Sequence, residues 1–184
     1  MAIDSIRFRR AEAGDLPAII RLLADDPLGQ SREILSDPPD RRYVEAFAAF
    51  DGDPHQLLAI ADDGGNVAGC LQLTFLPGLS RSGMWRGQIE SVRIAAGYRG
   101  AGLGRRFFEW AIAQCRDRGC GLVQATSDKS RTDAIRFYES LGFEASHEGL
   151  KLRLCLLYTS PSPRDMIPDR VCRLLLEKGG GGGG

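Results

Sequence analysis

The sequence predicts an α/β (α+β) protein: one domain over residues 5–154, with a mixed, mostly antiparallel central sheet flanked by helices. Two apolar, strand-like runs, Leu57–Ala61 and Val67–Phe75, straddle Asp62-Asp63-Gly64-Gly65 and read as a hairpin. A strand–helix–strand succession then runs through Gln88–Ile94, Leu103–Arg118 and Leu122–Thr126. A domain of this length can bury a hydrophobic core of its own.

Each element has its own signal. Ile6-Arg7-Phe8-Arg9 alternates as a first strand. Gly14-Asp15-Leu16-Pro17 starts a helix, with Asp15 as N-cap and Pro17 in the first turn. Leu16, Ile19, Ile20 and Leu23 then fall on one face. After the Pro38-Pro39 break a second helix covers about Arg41–Phe50. Leu103, Phe107, Phe108, Ala111, Ile112 and Cys115 make a wide apolar stripe on the third, and Ala134, Phe137, Tyr138 and Leu141 one on a helix over Ser130–Leu141. Gly142–Ala145 and Leu150–Leu154 read as closing strands.

Composition excludes several partners. With 24 Lys+Arg against 24 Asp+Glu, no net field favours nucleic acid or an anionic surface. No apolar run approaches the ~20 residues of a membrane helix, and Met1-Ala2-Ile3-Asp4 opens no apolar leader. The cysteines (70, 115, 120, 155 and 172) form no Cys-x-x-Cys pair, and few histidines accompany them. They read as reduced thiols of a cytoplasmic protein without a metal site.

The most informative stretch is Tyr98-Arg99-Gly100-Ala101-Gly102-Leu103-Gly104-Arg105-Arg106, between the fourth strand and the third helix. A Gly-rich turn opening a helix aims backbone N–H groups at one point, where the helix dipole adds positive charge, and so suits phosphate. A P-loop would need Lys and Ser/Thr after its last glycine, but Arg105 and Arg106 stand there. A dinucleotide loop would need a glycine at position 105. What remains is Arg99-x-x-Gly102-x-Gly104, which resembles the pyrophosphate loop of the GNAT superfamily of N-acetyltransferases, Q/R-x-x-G-x-G/A. Asp133-Ala134-Ile135-Arg136-Phe137-Tyr138-Glu139-Ser140-Leu141-Gly142-Phe143 is similar to that family's N-x-x-A-x-x-(F)Y-x-x-x-G-F segment, with Asp for the usual Asn. The element order matches too, so the resemblance covers residues 5–154 and implies the acyl-CoA N-acyltransferase fold.

It also implies acetyl-CoA as co-substrate and direct transfer to an amine. Loop residues Arg99, Gly100, Ala101, Gly102, Leu103 and Gly104 would hold the pyrophosphate. The backbone of Val92 and Ile94 would pair with the pantetheine arm like an added strand, and Asp133 would contact that arm, unless it merely caps its helix with Ser130. In an ideal strand Glu90 shares a face with Val92 and Ile94. A carboxylate in such apolar surroundings suits a general base, and family members often carry Glu there. The alternative is that Glu90 only binds the substrate ammonium or a neighbouring Arg. Tyr138, whose family counterpart lies near the cofactor sulfur, is the candidate acid, against the alternative of a core tyrosine. His55 and His147 lack partners at catalytic spacing, and Trp85 either lines an acceptor pocket or packs over the sheet.

The acceptor, a small-molecule or peptide amine, is not encoded in any motif. A non-catalytic acyl-CoA sensor and a transferase using another acyl-CoA stay open, as does the homodimer common in the family. Residues 155–184 are set apart by composition. Cys155–Asp165 and Arg170–Lys178 resemble translated sequencing-adapter blocks, followed by Gly179–Gly184, so the segment is expected to be non-native or a disordered tail.

Overall fold

The computed structural model describes residues 3–25, 32–129 and 131–152. The described residues divide into two units, the first ending at His147 and the second beginning at Glu148. The first unit holds a five-stranded sheet in sequence order: β1 (Arg7–Arg10), β2 (Gln56–Asp63), β3 (Asn66–Leu76), β4 (Arg86–Ile94) and β5 (Leu122–Ala125). Neighbours pair antiparallel except β4 and β5, which run parallel. The β2–β3 hairpin turns on Gly64 and Gly65, both left-handed (φ +59° and +97°), as a two-residue turn between twisted strands requires.

Helices lie on both faces. α1 (Leu16–Ala24) and α2 (Arg41–Gly52) pack on one side, where Ala11, Ile19, Leu22, Ile60 and Cys70 form a small core with Phe47 and Leu58 against it. The opposite side carries the larger core. There α4 (Leu103–Asp117) sets Leu103, Phe107, Phe108, Ala111 and Cys115 against Leu71, Leu73, Phe75 and Ile89. α5 (Thr132–Glu139) adds Phe137 and Tyr138 to it. A single turn, α3 (Ser80–Gly83), interrupts the β3–β4 connection with left-handed Arg81 and Ser82.

Gly87 of β4 lets α4 come this close, because a Cβ there would stand 2.2 Å from the buried Cys115 Sγ. Gly87→Ala is therefore expected to destabilise the protein by about 1–3 kcal/mol, as overpacking does. Cys115→Ala in the same chain should recover much of that, read by urea denaturation of both variants.

Three sequence expectations are corrected. Asp15 does not cap α1: its carboxylate turns back to the Glu12 N–H (2.7 Å) and to Arg9, whose guanidinium also reaches Asp62 on β2. α2 does have its side-chain cap, from Asp40 to the Arg42 N–H. Gly142–Ala145 is not a strand. Gly142 (φ +88°) gives its N–H to the Glu139 carbonyl at 2.9 Å and Phe143 to that of Tyr138 at 3.1 Å, so these amides close α5 and cannot enter a ladder. Residues 150–152 carry no strand either. Arg153, Leu154 and the whole 155–184 segment, with its adapter-like blocks, lie outside the described residues.

Candidate active site

The site is built where two strands part. β4 pairs with β5 only over Arg86–Ile89, while its pairing with β3 continues to Ile94. From Glu90 onward no strand among the described residues pairs with the other edge of β4, which is open in that sense. The Ala95 N–H bonds to the Ala68 carbonyl on β3 at 2.9 Å, so by alternation the peptide groups of Ile94 and Val92 turn toward the open edge. Their carbonyls accept from Arg99 Nε and Arg93 Nη1, each at 2.9 Å.

A β-bulge reorganises the middle of β4. Gln72 stands opposite Glu90 and Cys70 opposite Arg93, so three steps along β4 match two along β3. Ser91, at φ +53°, absorbs the extra residue in a conformation that costs a non-glycine about 1–3 kcal/mol. The Cys70 thiol donates to its carbonyl at 3.9 Å. The bulge corrects the ideal-strand expectation for Glu90. Val92 and Ile94 pack against the α4 core, whereas Glu90 shares the α1 face with Gln72 and Cys70 and is exposed. The apolar surroundings expected for its carboxylate are absent.

The loop after β4 runs through a 3-10 turn, Ala96–Tyr98, into α4. Gly100 (φ +78°) and Gly102 (φ +85°) are left-handed, which only glycine adopts without strain. The Arg106 N–H makes the bond back to the Gly102 carbonyl, leaving the N–H groups of Leu103, Gly104 and Arg105 as the first-turn donors. Leu103 is fully buried, so only its backbone can serve an anion, and Ala101 is exposed. At Gly104 a Cβ would meet nothing nearer than Ile94 Cγ1 at 3.8 Å. The Arg99 guanidinium donates to the Ile94 carbonyl and to Asp25, just past the end of α1, each at 2.9 Å. Left-handed glycines, first-turn donors and an open strand edge fit an extended ligand ending in a pyrophosphate.

Tyr138 lies on the other side of β4 from Glu90, with its ring 5.5 Å from that of Phe108, 5.7 Å from Phe137 and 5.9 Å from Phe143. Burial pushes its phenol above the ordinary value of 10, against the field of Arg131 and Arg93. It is thus protonated throughout the neutral range, as a proton donor must be. Asp133 is exposed in the first turn of α5 and pairs with Arg136 rather than reaching inward. Its proposed partner Ser130 lies outside the described residues.

Burial pushes the Cys70 and Cys115 thiols up to about 12, so both stay un-ionised and neither is a ready nucleophile. The His55 ring lies tilted beside that of Trp85 at 5.1 Å, and exposed His147 contacts Ser146. Among the described residues no group of three or more His, Cys, Asp or Glu is placed to hold a metal ion, and no helix is long and apolar enough to cross a membrane. Arg93 was missed from the sequence. Simple alternation puts it on the opposite face from Glu90, and only the bulge brings the two to one face.

Comparison with known proteins adds four findings of similarity. A family model described as "Acetyltransferase (GNAT) family" matches residues 17–143. An aminoalkylphosphonate N-acetyltransferase of Salmonella typhimurium is 29% identical over 116 residues, 62% of this chain and 75% of that protein. Among solved structures, one described as a transcriptional regulator from Bacillus halodurans C-125 is 46% identical, with a TM-score of 0.79 over 81% of this chain and 99% of its own. A putative acetyltransferase from Agrobacterium tumefaciens is 28% identical, with a TM-score of 0.73 over 81% of this chain and 100% of its own.

Proposed function

The chain belongs to the GNAT acetyltransferase family and has its acyl-CoA N-acyltransferase fold, and on that premise we propose that it moves the acetyl group of acetyl-CoA onto the primary amine of a small molecule, with Glu90 as base and Tyr138 as acid. The observation that carries this reading is the open edge of β4 running into the first turn of α4. The edge offers the Val92 and Ile94 N–H groups to an amide-bearing arm, and the loop from Arg99 to Gly104 offers N–H donors to a pyrophosphate. Asp133 stays with this set as a weaker contact to the arm.

The bulge supports a division of labour. The acceptor ammonium, on the α1 face, gives a proton to Glu90, and the uncharged amine attacks the thioester carbon. The carbon–sulfur bond breaks, and the sulfur takes the phenolic proton of Tyr138 from the α4 face. The second amine proton makes good the one Tyr138 has given. Buried, un-ionised Cys70 and Cys115 favour this direct route over an acyl-enzyme. With its phenol held above the ordinary value, Tyr138 predicts an alkaline limb of kcat that begins above pH ~10 and is lost in Tyr138→Phe.

The donor half is tested by Arg99→Glu combined with Gly104→Glu. Gly104 has helical backbone and room for a side chain, so the fold should persist. Two carboxylates beside the pyrophosphate should weaken CoA binding by at least about 100-fold in calorimetry, roughly the loss of two charge-assisted bonds. Unchanged affinity would remove the loop from the site. The description of the Bacillus halodurans structure favours a second reading, an acyl-CoA sensor without turnover. It predicts CoA binding but no thiol release with any amine.

A further inference from the structure

The α1 side of the sheet carries two rows of side chains that, Leu58 apart, neither the acetyl donor nor the core requires. Register places Gln56 of β2 opposite Thr74 of β3, Thr74 opposite Gln88 of β4, and Gln88 opposite Gln124 of β5. All four therefore share a face in one line across four strands, at successive steps of about 4.8 Å. The line is bonded within itself: the Thr74 hydroxyl donates to Gln56 Oε1 at 2.8 Å, and Gln124 Nε2 donates to Gln88 Oε1. The next row is Leu58, Gln72 and Glu90. Leu58 packs with the small core against α1 and α2, but Gln56, Thr74, Gln72, Gln88 and Gln124 are only half-buried and Glu90 is exposed.

We propose that this carboxamide ladder is the acceptor platform, and that the acceptor is a primary amine on a polyhydroxylated ring, an amino sugar by chemical class. The inference rests on the transfer reading above. Glu90 is the one ionisable group in the two rows and takes the ammonium; Arg93, on the same face beyond the bulge, donates to the Val92 carbonyl. Each carboxamide has two donors and an acceptor, and the internal bonds use only part of them. A hydroxyl also both donates and accepts, so a ring bearing one on each carbon can pair along such a line. A plain alkylamine would strip water from these groups and leave them unpaired. Gln88 lies two residues from Glu90 on the same face, about 6.6 Å along the strand, so ring hydroxyls meet Gln88, Gln124 and Gln72 when the amine is at Glu90.

The full chain is assayed for acetyl transfer to glucosamine, cyclohexylamine (the same ring size without hydroxyls) and tri-alanine. Glucosamine is expected to exceed each of the others at least 10-fold in kcat/KM. Gln88→Leu and Gln124→Leu should each cut the glucosamine-to-cyclohexylamine ratio about 10-fold, roughly one lost hydrogen bond, with the KM for acetyl-CoA and the melting temperature as controls. The wild-type ranking stands as a test even where a variant does not fold. Preference for cyclohexylamine or tri-alanine overturns this inference alone. Acetylation of none of the three, with acetyl-CoA still bound in calorimetry, overturns the transfer reading and this inference with it.

Discussion

Glu90→Gln is expected to lower kcat by about 10²–10⁴-fold while leaving the affinity for CoA unchanged. The substitution keeps the shape of the side chain and removes its capacity to take a proton. Glu90 is exposed and belongs to the α1 face of β4, so its loss disturbs neither the core nor the open edge where the donor is expected. The amine then has to arrive already uncharged, and that fraction grows with pH. The variant should therefore regain rate as pH rises toward the amine's own pKa, where the wild type has levelled off. A raised KM with unchanged kcat would reassign Glu90 to holding the ammonium.

Phe108→Ala carries the second large effect, on stability first and on chemistry through it. Phe108 is 1% exposed at the centre of the aromatic cluster that joins α4 to α5. Its ring lies 5.5 Å from those of Phe137 and Tyr138 and 6.3 Å from that of Phe143. Truncation should cost about 3–5 kcal/mol, the usual range for a buried phenylalanine. α5 is a helix of eight residues, too short to stand without such packing. The Tyr138 hydroxyl should then lose its fixed position, and kcat should fall in whatever fraction remains folded. Urea denaturation reads the stability, and Phe108→Leu should recover part of it. A loss under about 1 kcal/mol would mean that the cluster does not hold α5 in place.

Local periodicity was enough for the framework. The stripe on α4 follows from spacing alone, because a long amphipathic helix has one way to bury Leu103, Phe107, Phe108, Ala111 and Cys115 together. The hairpin was equally legible, since its Gly64-Gly65 turn is encoded in the turn itself. The glycine loop after β4 was readable for the same reason. What escaped depended on partners far away in sequence. The bulge at Ser91 has no residue type to announce it, being a strained serine where a glycine would have been a signal, and it moved Glu90 to the other face. Arg99 found Asp25, 74 positions away. The carboxamide ladder exists only once four strands are in register. The closing strand over Gly142–Ala145 failed because helix closure by Gly142 and Phe143 took the same amides first.

The open edge of β4 has a further consequence for the protein as a material. An unpaired strand edge is a template for another chain, and natural sheets guard such edges with charge. Here Arg93 and Arg99 sit on the Val92 and Ile94 carbonyls, the same groups an incoming strand would need. An incoming strand would have to displace these two guanidinium groups before it could pair. The feature that makes β4 able to receive a ligand also makes it the sheet's adhesive side, held solvent-compatible by two guanidinium groups.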